Sequence, residues 1–183
     1  MGFIAPANAP MIGMAGAGKT TVGSSLATLL NYSFIDSDKL LEESQGLSLQ
    51  DILEKHGYQG LRSIEAEVIL SIHLNNTVLA TGGSIVYSSE AMDHLKASSK
   101  IIFLSIDFAE ITKRSIDFTN RGFAKHPDQS VEEAYNERQA LYKKYADFIV
   151  HSVNLLQAKP EELIESFIIR TVIAGKDYHF SKK

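Results

Sequence analysis

The chain of 183 residues has no cysteine and no tryptophan, and only four prolines. Without cysteine there are no disulfides, no thiolate zinc sites and no cysteine nucleophile, the pattern expected of a cytoplasmic protein. No apolar run reaches the roughly 18 residues of a membrane span, and residues 1–10 lack the charged and apolar regions of a signal peptide. Charge of neither sign dominates: 22% of residues are charged and the formal net charge is −4. Neither a basic nucleic-acid surface nor an acidic tail is expected, so an anionic ligand would have to be held by local charge. With 44% hydrophobic residues the chain has the apolar content for one domain with a sizeable core. We expect that domain over residues 1–175 and a frayed tail over 176–183.

Against that background one stretch stands out. Gly13-Met14-Ala15-Gly16-Ala17-Gly18-Lys19-Thr20-Thr21 contains Gly13, Gly18, Lys19 and Thr20 at the spacing G-x-x-x-x-G-K-[ST]. Glycines there let backbone N–H groups close around phosphate oxygens without Cβ clashes. Val22, Leu26, Leu29 and Leu30 follow at helical spacing, so the loop would deliver its anion to a helix N-terminus, where free amides and the dipole favour negative charge. Lys19 would add a point charge for the β- and γ-phosphates and Thr20 a hydroxyl ligand for Mg²⁺.

Other stretches read as alternating strands and helices. A short first strand falls near residues 9–13, where Pro10, close behind Pro6, fits poorly because proline cannot donate to a sheet ladder. Residues 32–35 read as a second strand ending in Asp36-Ser37-Asp38, with both aspartates on one side of the extended chain. Carboxylates at such a strand end lie in the ligand crevice of an α/β sheet, although helix capping by Asp38 would explain one of them.

Residues 47–55 and 59–74 read as helices separated by His56-Gly57. Arg62 and Glu65, three apart, could form a surface ion pair or a glutamate-held arginine that grips a ligand carboxylate. Residues 77–80 read as a buried strand followed by Thr81-Gly82-Gly83-Ser84, where glycines allow close backbone approach. A helix at 88–97, a strand at 101–104 and a helix at 108–115 come next. Residues 117–130, without apolar periodicity and carrying Arg121, Lys125 and His126, suggest a mobile lid. A helix at 131–145 carries Arg138, a last strand covers 147–150, and Pro160 suits the first turn of a terminal amphipathic helix. The six histidines form no ligand pattern, and Tyr142 and Tyr145 read as helix packing. This alternation predicts an α/β fold with a five-stranded parallel sheet and helices on both faces.

In order, GMAGAGKTT, FIDSD, GLRSIEAEVI, LATGGS, NRGF, NERQALYKKYAD and the AKP turn together resemble the shikimate kinase family over nearly the whole chain. The resemblance implies a P-loop NTPase fold of the nucleoside-monophosphate-kinase type, with strand order 2-3-1-4-5. It also implies ATP-dependent phosphorylation of the 3-hydroxyl of shikimate, a small-molecule substrate, by a monomer. Carried over by position, the loop from Gly13 through Ala15, Gly16, Ala17, Gly18, Lys19, Thr20 and Thr21 would hold ATP. Thr20 and Asp36 would hold Mg²⁺, and Asp38 would be the base. Arg62 and Arg138 would clamp the carboxylate, while Gly82 and Gly83 would offer backbone contacts. Arg121 would reach the γ-phosphate from the lid, and Arg114 and Pro160 would flank adenine.

The chain departs from the family pattern on the substrate side. Ser84 stands for a third glycine, Arg121-Gly122-Phe123-Ala124 for Arg-Pro-Leu-Leu, and Leu53 and Leu61 for phenylalanines. Another small hydroxy acid as acceptor, or a nucleotide-binding module without transfer activity, are the alternatives.

Overall fold

The computed structural model describes residues 8–114, 118 and 122–152. Five parallel strands, β1 (Asn8–Ile12), β2 (Ser33–Asp36), β3 (Thr77–Ala80), β4 (Ile102–Ser105) and β5 (Phe148–His151), lie in the order β2-β3-β1-β4-β5. The helices are α1 (Lys19–Leu30), α2 (Ser37–Gln45), α3 (Leu49–Ser71), α4 (Ser89–Ser98), α5 (Phe108–Lys113) and α6 (Val131–Tyr145). Every residue of β1, β3 and β4 is buried. Side chains alternate across a strand, so both faces of the sheet centre are covered, as parallel sheets require.

Pro10 sits inside the central strand, in register with Leu79. The carbonyls of Asn8 and Met11 explain how: Asn8 accepts from Lys100 on the β4 side at 3.2 Å, and Met11 from Thr81 on the β3 side at 3.1 Å. Alternation turns Pro10 toward β4, whose pairing with β1 begins only at Met11↔Ile102. The missing N–H therefore falls between the Lys100–Asn8 bond and the first bridged pair, at the end of the β1–β4 pairing. Asn8 closes the lower end of the sheet, its amide nitrogen bonded to Ser98 O at 3.1 Å and its oxygen accepting from Thr77 N at 3.2 Å.

The two helices expected on either side of His56-Gly57 are present and meet within α3 at a kink, where Gly57 takes φ 70°, ψ 176°. Reciprocal capping boxes start α3 (Ser48 with Asp51) and α6 (Ser130 with Glu133). A second small core of Leu41, Ile52, Leu61 and Ala124 joins α2 and α3 to the segment 122–124. The terminal helix with Pro160, the tail and Arg121 lie outside the described residues.

Candidate active site

The loop between β1 and α1 turns on three glycines with positive φ, Gly13 at 146°, Gly16 at 79° and Gly18 at 95°. Gly18 is the α1 N-cap, no side chain caps the helix, and no acidic residue occupies its first turn. The leading amides of α1 stay available to an anion. The buried Lys19 bends back, donating from Nζ to the carbonyls of Gly13 and Met14, each at 2.8 Å. Burial lowers its pKa, against the opposing pull of Asp38, Glu65 and Asp36.

Thr20 donates its hydroxyl to Asp36 Oδ2 at 2.8 Å. Asp36 is the last residue of β2 and also the α2 N-cap, with Oδ1 accepting from Asp38 N at 3.1 Å. The cap is therefore Asp36, whereas the sequence made Asp38 the capping candidate. Asp38 sits in the first turn of α2 with its carboxylate free of that duty. Both aspartates, Lys19, Thr20 and the loop line a cavity of about 460 Å³. Arg114 reaches the loop from the end of α5, donating to Gly16 O at 2.9 Å.

On the other side of Asp38 lies a smaller cavity of about 50 Å³, whose wall includes Glu65, Gly82, Gly83, Ser84, Phe123, Ala124 and Arg138. Of the expected acid-binding residues, the structure gathers Asp38, Gly82, Gly83 and Arg138 here. A Cβ at Gly82 would overlap the Glu65 carboxylate and lie 2.7 Å from Asp38 Oδ1, so a larger residue would have to displace the ends of both side chains. Its N–H is held by Ser37 Oγ at 3.1 Å.

The considered Arg62–Glu65 contact is not formed. Ser84 Oγ donates instead to Glu65 Oε2, and Oε1 is buried without a hydrogen-bond partner among the described residues. Burial and the nearby Asp38 push Glu65 up to about 7, and burial pushes Asp38 up to about 6, against the Lys19 charge. Arg62 donates from Nε and Nη2 to Ala124 O at 3.2 and 2.9 Å, and Arg138 Nη2 donates to the same oxygen at 2.8 Å. The two guanidiniums, drawn from α3 and α6, thus converge on one acceptor. No carboxylate among the described residues pairs with either.

Sequence reasoning missed two contributors. Tyr142, read as packing, is buried in the core but donates its hydroxyl to Gly83 O at 2.6 Å. Tyr87, in the 3₁₀ turn Ile85–Tyr87, was not singled out, yet its ring lies 3.5 Å from the Arg62 guanidinium centre. His94 is structural as expected, bonded to Ile72 O at 3.2 Å.

A glycine nest at the first strand–helix junction of a parallel sheet, with a lysine inside it and two carboxylates across from it, defines a P-loop phosphotransferase. The family model described as shikimate kinase matches residues 15–170. Shikimate kinases of Caldanaerobacter subterraneus subsp. tengcongensis and Aquifex aeolicus are 36% and 32% identical to it, over 88% and 87% of this chain and 96% and 92% of theirs. Among solved structures, Acinetobacter baumannii shikimate kinase in complex with shikimate superimposes with TM-score 0.78 at 29% identity, covering 92% of this chain and 94% of that one. The Aquifex aeolicus enzyme superimposes with TM-score 0.73 at 30% identity, covering 92% and 99%. The chain belongs to the shikimate kinase family.

Proposed function

We propose that this protein transfers the γ-phosphate of ATP to the 3-hydroxyl of shikimate, as a single kinase domain over residues 1–175. The observation that carries the reading is that Asp38 lines both cavities, the one walled by the phosphate loop and the one walled by Arg138 and the paired glycines. A group in that position touches donor and acceptor at once.

The loop amides and Lys19 would take the phosphates of ATP, and Lys19 would release its two carbonyl bonds to do so. The Thr20 hydroxyl and Asp36 carboxylate, 2.8 Å apart, fit Mg²⁺, which takes one or two protein oxygens and fills its shell with phosphate and water. When bound, the ion would neutralise charge on the phosphate oxygens. Asp38, at about 6, is ionised at neutral pH and can accept the proton of the attacking hydroxyl. Arg62 and Arg138 would exchange Ala124 O for the acid's carboxylate, a planar recognition that lysine cannot copy. Gly82 and Gly83 leave room for the ring. Arg114 would pack on the adenine side with Pro160, and Arg121 would neutralise the γ-phosphate. A loose phosphoryl-transfer transition state asks for positioning and charge neutralisation more than covalent help, and these residues supply both.

Ser84 supports a second reading, in which the acceptor is another small hydroxy acid, because its side chain occupies Glu65 in the acid pocket wall. Coupled ADP release with Mg-ATP across a panel of hydroxy acids and sugar acids separates the two. Shikimate preferred over all others is the expected result, and the absence of shikimate-stimulated turnover would remove the leading reading.

A further inference from the structure

The geometry points to Tyr87 as the positioning residue of the acid site: its ring face holds the Arg62 guanidinium in orientation without consuming its N–H donors, which now rest on Ala124 O and which a carboxylate would take over. The inference rests on Arg62 serving as a carboxylate clamp.

An arginine side chain carries many rotamers, and a clamp needs one of them. A glutamate partner could fix it, but would occupy the same edge N–H groups that a ligand carboxylate needs. Glu65, the sequence neighbour placed to do so, is held by Ser84 instead. The aromatic alternative works from the face. The guanidinium centre of Arg62 lies 3.5 Å from the Tyr87 ring centroid, with Tyr58 at 5.1 Å. The ring's negative face attracts the cation without consuming a donor. Tyr87 also lies 5.5 Å from the Arg138 guanidinium centre, so one ring borders both cations. The ring's negative face opposes their mutual repulsion.

The ring is itself well fixed. Tyr87 N donates to Ser84 O at 3.0 Å, buried Ile85 and Val86 anchor the turn, and Ser88 caps α4 through Ala91 N at 3.2 Å. Only Ser84, the cap of the turn, separates it from Gly82-Gly83, so the glycines and the ring come to the site as one unit. The Tyr87 hydroxyl is buried with no hydrogen-bond partner among the described residues. The contact with Arg62 is made by the ring face.

Tyr87→Leu and Tyr87→Phe separate face from hydroxyl, with Tyr87→Met replacing the leucine variant should that one not fold. The expected result is a KM for the acid raised on the order of tenfold in Tyr87→Leu. Its kcat and KM for ATP should stay within about twofold, and Tyr87→Phe should match the unmodified protein. The Arg62 Nε–H NMR signal, assigned through Arg62→Lys, should show an upfield ring-current shift in the unmodified and Tyr87→Phe proteins that Tyr87→Leu abolishes. An unchanged acid KM in Tyr87→Leu, an Arg62 signal that does not move, or a Tyr87→Phe variant as impaired as Tyr87→Leu would overturn the assignment. If the unmodified protein does not use shikimate, the functional reading fails, while the Arg62 signal still decides the placement of Tyr87.

Discussion

Around Asp38, the phosphate side opens into about 460 Å³ between the phosphate loop, α2, the start of α3 and the end of β3, while the acid side encloses about 50 Å³. The smaller volume has room for only a few waters. Its cations already rest on the protein, since Ala124 O takes three hydrogen bonds from Arg62 and Arg138, while Arg138 Nε is buried without a partner among the described residues. On the phosphate side the equivalent self-contact is lighter: Lys19 rests on two loop carbonyls, and the leading amides of α1 have no cap. A phosphate can enter a nest that is preformed, whereas an acid must take over donors that the segment 122–124 now holds. The two halves share Asp38 but differ in how much the protein must rearrange to fill them.

The largest expected effect tests their shared element. Asp38→Asn should lower kcat by about a thousandfold while leaving nucleotide binding near normal, because general-base catalysis contributes roughly 10²- to 10⁴-fold. In the unmodified protein, kcat/KM should fall below pH about 6 as Asp38 takes up a proton. The variant's residual activity should lose that limb, and a pH–rate profile checks both. Next in size, Arg62→Ala or Arg138→Ala should cost about 2–4 kcal/mol in acid binding, read as KM, with KM for ATP unmoved. An equal rise in both KM values would mean that the cavities are not separable. Gly82→Ala should follow, raising the acid KM at least about tenfold, since its Cβ meets the Glu65 and Asp38 oxygens. Calorimetric titration with ATP should still show normal uptake.

The same contrast explains what could be read before folding. The phosphate loop is contiguous, its glycines need positive φ and its helix follows at once, so Gly13 to Thr21 was legible residue by residue. The strand order followed from the family resemblance, and most element bounds fell within a few residues. The acid side depends on which of several neighbours a side chain chooses, and spacing does not decide that. Arg62 and Glu65 stand three apart on α3, yet Ser84, 19 positions beyond Glu65, takes the carboxylate. Ser84 was visible as a departure from the family glycine, but its partner was not. Tyr87 carried no signal, because its role lies in a ring face meeting a cation from another element. Pro10 looked out of place only because sequence does not show to which neighbour a strand residue turns.

The smallest expected effect concerns stability, and Glu65 carries it. Its carboxyl sits at about 7 in the folded protein against an ordinary 4.5, because burial and Asp38 disfavour the charge more than the Ser84 hydrogen bond favours it. Below about pH 4.5 the group is neutral in both folded and unfolded chains and imposes no penalty. Between 4.5 and 7 the folded chain holds the proton more tightly than the unfolded one, so stability falls as pH rises, and above 7 the full penalty is present. Glu65→Gln keeps an oxygen for Ser84 and removes the charge. It should therefore stabilise the protein by about 1–3 kcal/mol at pH 8 and hardly at all at pH 4.5, measured by denaturant unfolding at both. A gain of equal size at the two pH values would place its origin in packing rather than charge. A loss at pH 8 would mean that the ionised carboxylate is held by Lys19 and Arg138 strongly enough to outweigh its burial.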